Sequence, residues 1–375
     1  MSLKRVTRFF TVALAGCMLF TGCGKINTSA KLITVQNGDK TETITLGYGN
    51  FVARYNQALY DVYYGSYMGE DMWTTDMMGT GATMEADTKE SVIEELENWY
   101  VEKQNAADYN VSLSDEDTMA IEEAAKKFMS DNSEAAIEQI GATEEYVKQL
   151  LTDRTYAVRM EEAIRKEAEG KVEVTDAEAK QATISYLQFD KADAAASTAD
   201  AVVDAVNDIE NGEEPSNKSE EALADAKKAA AAADFDAADT AVDVDADTFS
   251  YNPDDKAEDV DGMPAEVIEA AKSLSEGQMS DVIETDSAYY VIRLDSKLDK
   301  VATASRKQEL QEEKVTKYYE DILKGYKDKL TFTVDEKNWE KVKFEERFTN
   351  GASEASDEND VTEEVLNGEE VDLNE

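Results

Sequence analysis

The sequence predicts an α+β fold in which a mainly helical lobe precedes a domain built on a four-stranded antiparallel sheet. Between residues 87 and 170, apolar side chains recur at helical spacing. Between residues 180 and 297, candidate strands and helices follow one another in the order β-α-α-(α)-β-α-β-β. This order of strands and helices favours an antiparallel α+β domain.

The first elements after the N-terminal segment are a hairpin and a helix. Residues 31–46 alternate apolar and polar side chains around Asn37-Gly38, which is a strong signal for a tight hairpin turn. From about Gly49, apolar residues at helical spacing predict a helix. Residues 65–86 are rich in Gly and Met without a clear period, and they predict a loop.

Three further helices are predicted from their N-terminal residues. Asp87 with Glu90 has the spacing of a capping box. Ser114 is followed by three acidic residues, which suit the positive end of a helix dipole. Thr143 begins a long helix in the same way, and Gly170 ends it.

The pattern changes at residue 182, where β-branched and aromatic residues replace the helical period. The segment rich in Ala and acidic residues that follows predicts two or three helices. The elements expected downstream are a strand at 182–189, helices within 192–240 broken near Gly212 and Pro215, a strand at 247–251, a helix at 264–274, strands at 279–283 and 288–294, and a helix at 301–327.

Composition excludes several functional classes. The chain has 375 residues, with 83 Asp and Glu against 38 Lys and Arg, which gives a formal charge of −45, and it has no His. Nucleic acid is not expected as a partner, because phosphate binding needs clustered basic residues. Without His there is no Ser-His-Asp triad, no Cys-His dyad and no His-ligated zinc. No motif indicates a cofactor.

The N-terminus has the form of a secretory signal. Three basic residues among the first eight precede the apolar segment 9–20, which is too short to span a bilayer. Thr21-Gly22-Cys23 is similar to a bacterial lipobox, in which the Cys is diacylated and becomes the new N-terminus. Cys17 follows a better lipobox by residue type, but it would leave a very short apolar region, so Cys23 is the preferred lipidation site.

Cleavage before Cys23 removes three bases and no acid, so the charge of −45 becomes −48 in the mature chain. Cys23 is then the only cysteine, which rules out an intramolecular disulfide. The acyl chains would anchor the protein to the extracytoplasmic membrane surface of a bacterium, of the Gram-positive type by the resemblance given below.

Three segments form a set in one order. They are Ile184-Ser185-Tyr186-Leu187, the segment 263–281 with its Leu-x-x-Gly-Gln-Met-Ser turn, and the strand 288–294. Together they resemble a parvulin-type (PpiC-like) prolyl isomerase domain, which would span residues 180–297. The resemblance implies a four-stranded antiparallel sheet with helices and prolyl cis-trans isomerase activity.

Upstream, residues 91–117 resemble the helical chaperone segment of the PrsA and SurA foldases. In that family the helical lobe precedes the isomerase domain and a later helix returns to it. The expected organisation is a signal peptide at 1–22, a linker at 23–31, a helical lobe with an N-terminal hairpin at 32–174, the parvulin-like domain at 180–297, a helix returning to the lobe at 299–345, and a disordered acidic tail at 346–375. Ten acids and no base in Asn350–Glu375 favour disorder.

The resemblance assigns five residues to the isomerase site. The two active-site His of the family fall on Tyr186 and Tyr290, its Phe falls on Val267, and its Met is kept as Met263. The Cys or Asp position of the family falls near Asp245. Met263 and Val267 are four residues apart and can share one helix face as part of a proline pocket. Each of these residues is also a normal core or strand residue, so a structural role stays open.

The replacement of both His leaves three hypotheses. One is a foldase that binds unfolded secreted polypeptides and has weak isomerase activity; the others are a fully active isomerase and a non-catalytic scaffold or binding lipoprotein. Isomerisation crosses an amide barrier of about 18–20 kcal/mol without a covalent intermediate, so it needs an apolar grip on the proline ring more than a nucleophile. The Asp-x-Asp-x-Asp pattern at 243–247 lacks the Gly and the final Glu of a calcium loop, and a solvated acidic loop is expected there.

Overall fold

The structure is a computed structural model that describes residues 14–16, 26–69, 71–191, 218–344 and 347–350. The chain divides into two units, one of Met1–Ala168 with Lys317–Glu375 and one of Glu169–Thr316. The predicted lipidation site Cys23 and its alternative Cys17, the breaks near Gly212 and Pro215, and residues 351–375 of the predicted tail lie outside the described residues. The prediction of disorder from residue 346 is wrong for Phe348–Asn350, which form a strand because they pair with a distant segment.

The described helices and strands confirm an α+β fold. The helices are α1 (Leu46–Met68), α2 (Met84–Gln104), α3 (Asp115–Asp131), α4 (Glu134–Ile140), α5 (Glu144–Glu169), α6 (Asp176–Ala179), α7 (Lys218–Ala230), α8 (Phe235–Ala241), α9 (Ala265–Ser273), α10 (Lys300–Lys327) and α11 (Glu336–Trp339). The strands are β1 (Leu14–Gly16), β2 (Lys31–Asn37), β3 (Lys40–Thr45), β4 (Ala182–Asp190), β5 (Asp247–Tyr251), β6 (Ile283–Glu284), β7 (Ala288–Ser296), β8 (Thr331–Val334) and β9 (Phe348–Asn350).

In the first unit, the hairpin is confirmed and gains a third strand. β2 pairs with β3 across a turn in which Gly38 has a φ of +57°, a conformation that glycine adopts without strain. β8 adds to the other edge of β2, so the sheet order is β3-β2-β8 with antiparallel pairing throughout. The sequence missed β8 because four residues give too short a pattern, and its partner lies about 300 positions away.

Two helix starts differ from those predicted. α1 begins at Leu46 rather than Gly49, with the Thr45 side chain accepting the N–H of Tyr48 at the helix start. α2 begins at Met84 rather than Asp87, because the hydroxyl of Thr83 accepts a hydrogen bond from the N–H of Ala86. The loop between these helices is therefore shorter than the predicted 65–86.

The remaining helix signals in this unit are confirmed. Ser114 and Asp117 form a reciprocal capping box at the start of α3, with the Asp117 N–H donating to the Ser114 hydroxyl over 3.1 Å. Thr143 accepts the N–H of Tyr146 at the start of α5. The short helix α4 between them was not predicted.

A buried carboxylate ties the C-terminal segment to α1. The Asp61 side chain has no exposed surface and accepts hydrogen bonds from Arg347 Nε at 3.0 Å, Trp73 Nε1 at 2.9 Å and the Phe348 backbone N–H at 3.0 Å. The bonds from Arg347 and Phe348 span 286 and 287 positions in sequence. β9 continues from Phe348 and pairs with β1, whose residues lie within the predicted signal peptide and would be absent from a mature chain.

The second unit contains a four-stranded antiparallel sheet, as predicted. Its strand order is β5-β4-β7-β6. Successive residues of a strand point to opposite faces, and β4 and β7 bury both faces. Ile184 and Ile292 pack on the face covered by α9, whereas Leu187 and Val291 pack on the face covered by α7 and α8. The sheet is thus the middle layer between α9 and the α7–α8 pair.

The edge strand β6 is shorter than predicted. It covers only Ile283–Glu284, while Met279 makes an isolated bridge to Arg293 of β7. Gly277, with a φ of +76°, turns the chain after α9 and its N–H donates to the Leu294 carbonyl over 2.7 Å. Among the helices of the described residues, none is both long enough and apolar enough to cross a bilayer.

Candidate functional site

Four of the five predicted site residues meet on one face of the four-stranded sheet. Met263, Val267 and Tyr290 are buried members of a single apolar cluster, and Tyr186 packs against its edge. We call this group the α9-face cluster. Its buried members are Ala182, Ile184, Tyr251, Ala257, Met263, Val267, Ile268, Ala271, Leu274, Ala288, Tyr290, Ile292 and Leu294.

The two tyrosines at the family His positions are neighbours. Tyr186 lies on β4 and Tyr290 on β7, and their ring centroids are 6.2 Å apart with an interplanar angle of 47°. The Tyr186 hydroxyl donates to Asp247 Oδ2 over 3.3 Å, and the Tyr290 hydroxyl donates to Gln188 Oε1 over 2.9 Å. Both hydroxyls therefore point to partners on neighbouring strands of the sheet.

Both tyrosine hydroxyls stay protonated at neutral pH and donate hydrogen bonds. Burial raises the pKa of Tyr186 above 10, and the nearby Asp247 carboxylate adds to the effect. Burial also raises the pKa of Tyr290, with smaller contributions from Asp190 and Tyr186. A neutral phenol with a raised pKa can hold a hydrogen bond but cannot act as a base near pH 7, so the site offers no replacement for an imidazole.

Val267 lies in the first turn of α9, whereas Met263 precedes the helix, so the prediction that the two share a helix face is wrong, although both pack in the α9-face cluster. Pro264 caps the helix, and its carbonyl accepts the Val267 N–H over 3.0 Å. Val267 has no exposed surface, and Met263 is 7% exposed. A side chain with no exposed surface cannot contact a ligand without a rearrangement, so Val267 packs in the core of this structure, and its role in a proline pocket stays a prediction.

Asp245 lies apart from the hydrogen bonds of the two tyrosines. It is exposed, two residues before β5, whereas Asp247 is the acidic residue that contacts Tyr186. Sequence reasoning missed Asp247 and Gln188. The signal for both is strand register: Tyr186 is paired with Asp247 and Gln188 with Tyr290, which becomes visible once β4 is aligned antiparallel to β5 and β7.

An open groove of about 690 Å³ borders the α9-face cluster, with Phe249 and Val260 belonging to both. Its walls carry more acidic than basic side chains, and its only basic lining residue, Arg306, is paired with Glu309 and Glu313. The lining residues are Glu178, Gln181, Phe249, Ser250, Tyr251, Asn252, Asp255, Asp259, Val260, Asp261, Ala302, Ser305, Arg306, Glu309 and Leu310. Within the described residues, no group of three or more Cys, Asp or Glu side chains is placed to hold a metal ion.

Residues 213–305 match the family model of the PPIC-type PPIase domain. The match covers about a quarter of the chain, and we refer to this part as the PPIC-type domain. The match includes Met263, Val267 and Tyr290 and begins after β4, so Tyr186 lies outside it. The resemblance to the parvulin class seen in the sequence is thereby confirmed. The comparison with curated proteins gives no match.

Several PrsA proteins are among the similar solved structures. The foldase protein PrsA from Streptococcus pneumoniae is 20% identical, covers 62% of this chain and 78% of its own, and gives a TM-score of 0.25. The peptidylprolyl isomerase PrsA from Bacillus anthracis is 16% identical with 63% and 96% coverage and a TM-score of 0.24. The PrsA from Bacillus cereus is 15% identical with 70% and 94% coverage and a TM-score of 0.26. At these TM-scores the superpositions carry no argument about the site.

Proposed function

We propose that this protein is a lipid-anchored extracytoplasmic foldase that binds unfolded secreted polypeptides and whose PPIC-type domain isomerises prolyl bonds weakly. The observation that carries the proposal is the closed α9-face cluster, in which Val267 is fully buried and tyrosines stand at both His positions. The domain therefore keeps its fold while the surface that would grip proline is small.

The chemistry of amide rotation explains why changes in the pocket weaken the activity by degrees rather than abolish it. Catalysis of amide rotation depends on binding the twisted form better than the planar one, and an apolar pocket supplies that difference. Met263 retains a little exposed surface, so a proline ring could still touch it, but the contact is smaller than a Met and a Phe would give together. A loss of 1.4 kcal/mol in transition-state binding lowers the rate about tenfold.

The rest of the chain would bind the polypeptide and anchor the protein to the membrane. The helices of residues 32–174 would supply the polypeptide-binding lobe, and residues 299–345 would complete it. Cys23 would carry the lipid, which brings the protein to the membrane surface where secreted chains emerge unfolded. A mature charge of −48 would keep a bound client soluble by repulsion between complexes.

A proline-peptide assay on the mature chain tests the catalytic half. We expect a catalytic efficiency at least tenfold below that of an ordinary parvulin measured beside it. Met263→Ala should remove the residual rate, whereas Met119→Ala, at a residue that is 63% exposed, is the matched control and should leave it unchanged. Efficiency equal to that of the parvulin, lost in Met263→Ala alone, would establish a fully active isomerase instead.

Suppression of aggregation tests the binding half. The mature chain at equimolar ratio should reduce light scattering by a chemically unfolded, proline-poor client protein, since holding does not depend on isomerisation. A scattering curve identical to that of the client alone would refute the foldase proposal and favour a scaffold.

A further inference from the structure

The C-terminal half of α1 presents a stripe of exposed tyrosines. Tyr60, Tyr63, Tyr64 and Tyr67 are spaced i, i+3, i+4 and i+7, which places them on one face of the helix. Their exposed fractions are 38%, 52%, 50% and 87%. We call these four residues the tyrosine stripe. Exposed aromatic side chains grouped on one surface mark an interaction site more often than singly scattered ones do.

The stripe belongs to an ordered surface. The Tyr60 ring packs against the Tyr64 ring at 5.8 Å and edge-on against the buried Trp73 at 5.9 Å. Trp73 in turn donates its indole N–H to Asp61, so the start of the following loop is fixed to α1. The loop then exposes Met77 and Met78. Methionine side chains adapt their shape to different apolar partners.

The surroundings of the stripe are acidic. Residues 60–87 contain six Asp or Glu and no Lys or Arg. Among the described residues, the bases that contact this segment are paired: Arg347 bonds to the Asp61 carboxylate and the Gly69 carbonyl, and Lys89 and Lys343 pair with Glu85. The exposed rings therefore lie in a negative field, and a ring face in such a field attracts a cation.

Charge complementarity decides between possible occupants. A second copy of this chain and the segment 351–375, with its ten acids and no base, would both bring negative charge to a negative surface. An anionic lipid surface would do the same. A polypeptide segment that carries Lys or Arg beside apolar residues is complementary, because its cations stack on the ring faces and its apolar side chains pack between them.

We propose that the tyrosine stripe binds basic, apolar segments of unfolded polypeptides, and so selects the clients of the proposed foldase, on which this inference rests. Selection by charge would also favour clients opposite in sign to a chain of −45. Binding would be weakened by salt, because the attraction acts between exposed charges.

Fluorescence anisotropy with three labelled peptides tests the proposal. The peptides share one twelve-residue apolar pattern and carry four Lys, four Ser or four Glu at the same positions. The mature chain should bind the Lys peptide at least tenfold more tightly than the Ser peptide at 50 mM salt, and the Glu peptide least. Equal affinity for all three peptides would overturn the proposal.

Variants locate the site. The double variant Tyr63→Ser with Tyr67→Ser should weaken binding of the Lys peptide about tenfold. The control variant Leu298→Ser removes a side chain that is 50% exposed and lies outside both the stripe and the proposed polypeptide-binding lobe, so it should leave binding unchanged. If both variants lose affinity for the Lys peptide equally, or if neither loses it, the assignment is refuted. A photoreactive Lys peptide on the unaltered chain gives an independent result, since its cross-links should fall within residues 60–78.

Three controls separate the alternatives. Flotation of an unlipidated chain that begins at residue 24 with vesicles containing anionic lipid, or a dimer in sedimentation, would assign the stripe to a membrane or to a second copy and overturn the proposal if Tyr67→Ser abolishes it. If the chain suppresses aggregation and the stripe variant suppresses it equally, this inference fails while the proposed function stands. If neither suppresses aggregation, the proposed function itself fails.

Discussion

A buried glutamate should make the first unit less stable as pH rises from 5 to 8. Glu102 on α2 is 1% exposed and accepts a hydrogen bond from the Tyr319 hydroxyl over 2.6 Å. Burial raises its pKa to about 7, and the nearby Glu161 adds to the effect, while the bond from Tyr319 opposes it. The folded chain therefore keeps a proton on Glu102 up to about pH 7, whereas the unfolded chain releases it near pH 4.5.

The sign and size follow from linkage. Between the two pKa values, the folded state binds more protons than the unfolded state, so the free energy of unfolding falls as pH rises. Each pH unit is worth about 1.4 kcal/mol, so the interval from 4.5 to about 7 corresponds to about 3 kcal/mol. The contribution is present below pH 4.5 and is lost above pH 7.

Glu102→Gln removes the titration and keeps an oxygen that can accept the Tyr319 hydrogen bond. At pH 5 the variant should match the parent within about 1 kcal/mol, and at pH 8 it should be more stable by up to about 3 kcal/mol. Urea unfolding followed by tryptophan fluorescence suits the measurement, because all three Trp lie in the first unit.

The control is Met119→Ala, at a residue on α3 that does not ionise and is 63% exposed, whose difference from the parent should not change with pH. Comparing variant with parent at each pH cancels the titration of the many other carboxylates. A difference between Glu102→Gln and the parent that is constant from pH 5 to pH 8 would refute the reasoning.

Three other substitutions give sharp outcomes. Asp61→Ala should lower the free energy of unfolding of the first unit by about 3 kcal/mol, because the partly buried guanidinium of Arg347 and the indole of Trp73 lose their acceptor. Asp71→Ala, at an exposed position, should change it by less than about 0.5 kcal/mol in the same urea assay. Val267→Phe should destabilise the PPIC-type domain by about 1–3 kcal/mol through overpacking and should not restore isomerase activity, which thermal unfolding by circular dichroism and the peptide assay can check. A gain in activity without loss of stability would show that the pocket opens. Cys23→Ala should abolish incorporation of labelled palmitate, and labelling that persists there but vanishes in Cys17→Ala would move the lipidation site.

The strands of the four-stranded sheet and most helix starts could be predicted because their signals are local. β4 and β7 are rich in β-branched and aromatic residues, and β5 was predicted at its observed bounds. Ser114 carries its own capping partner three residues later. The start of α2 was placed three residues late because Thr83 and Asp87 both have capping side chains, and only the packing of Met84 into the core distinguishes them.

For the candidate site, too, the sequence determines the residue types and the tertiary structure determines their surroundings. The sequence by itself determined which residue types stand at the family positions: two tyrosines, a valine and a methionine, with the acidic charge around them. Only the tertiary structure decided that Val267 is fully buried, that Tyr186 bonds to Asp247 rather than approaching Asp245, and that α1 turns four tyrosines outward. Spacing along the chain determines which side chains share a face, but burial depends on what distant segments pack against that face.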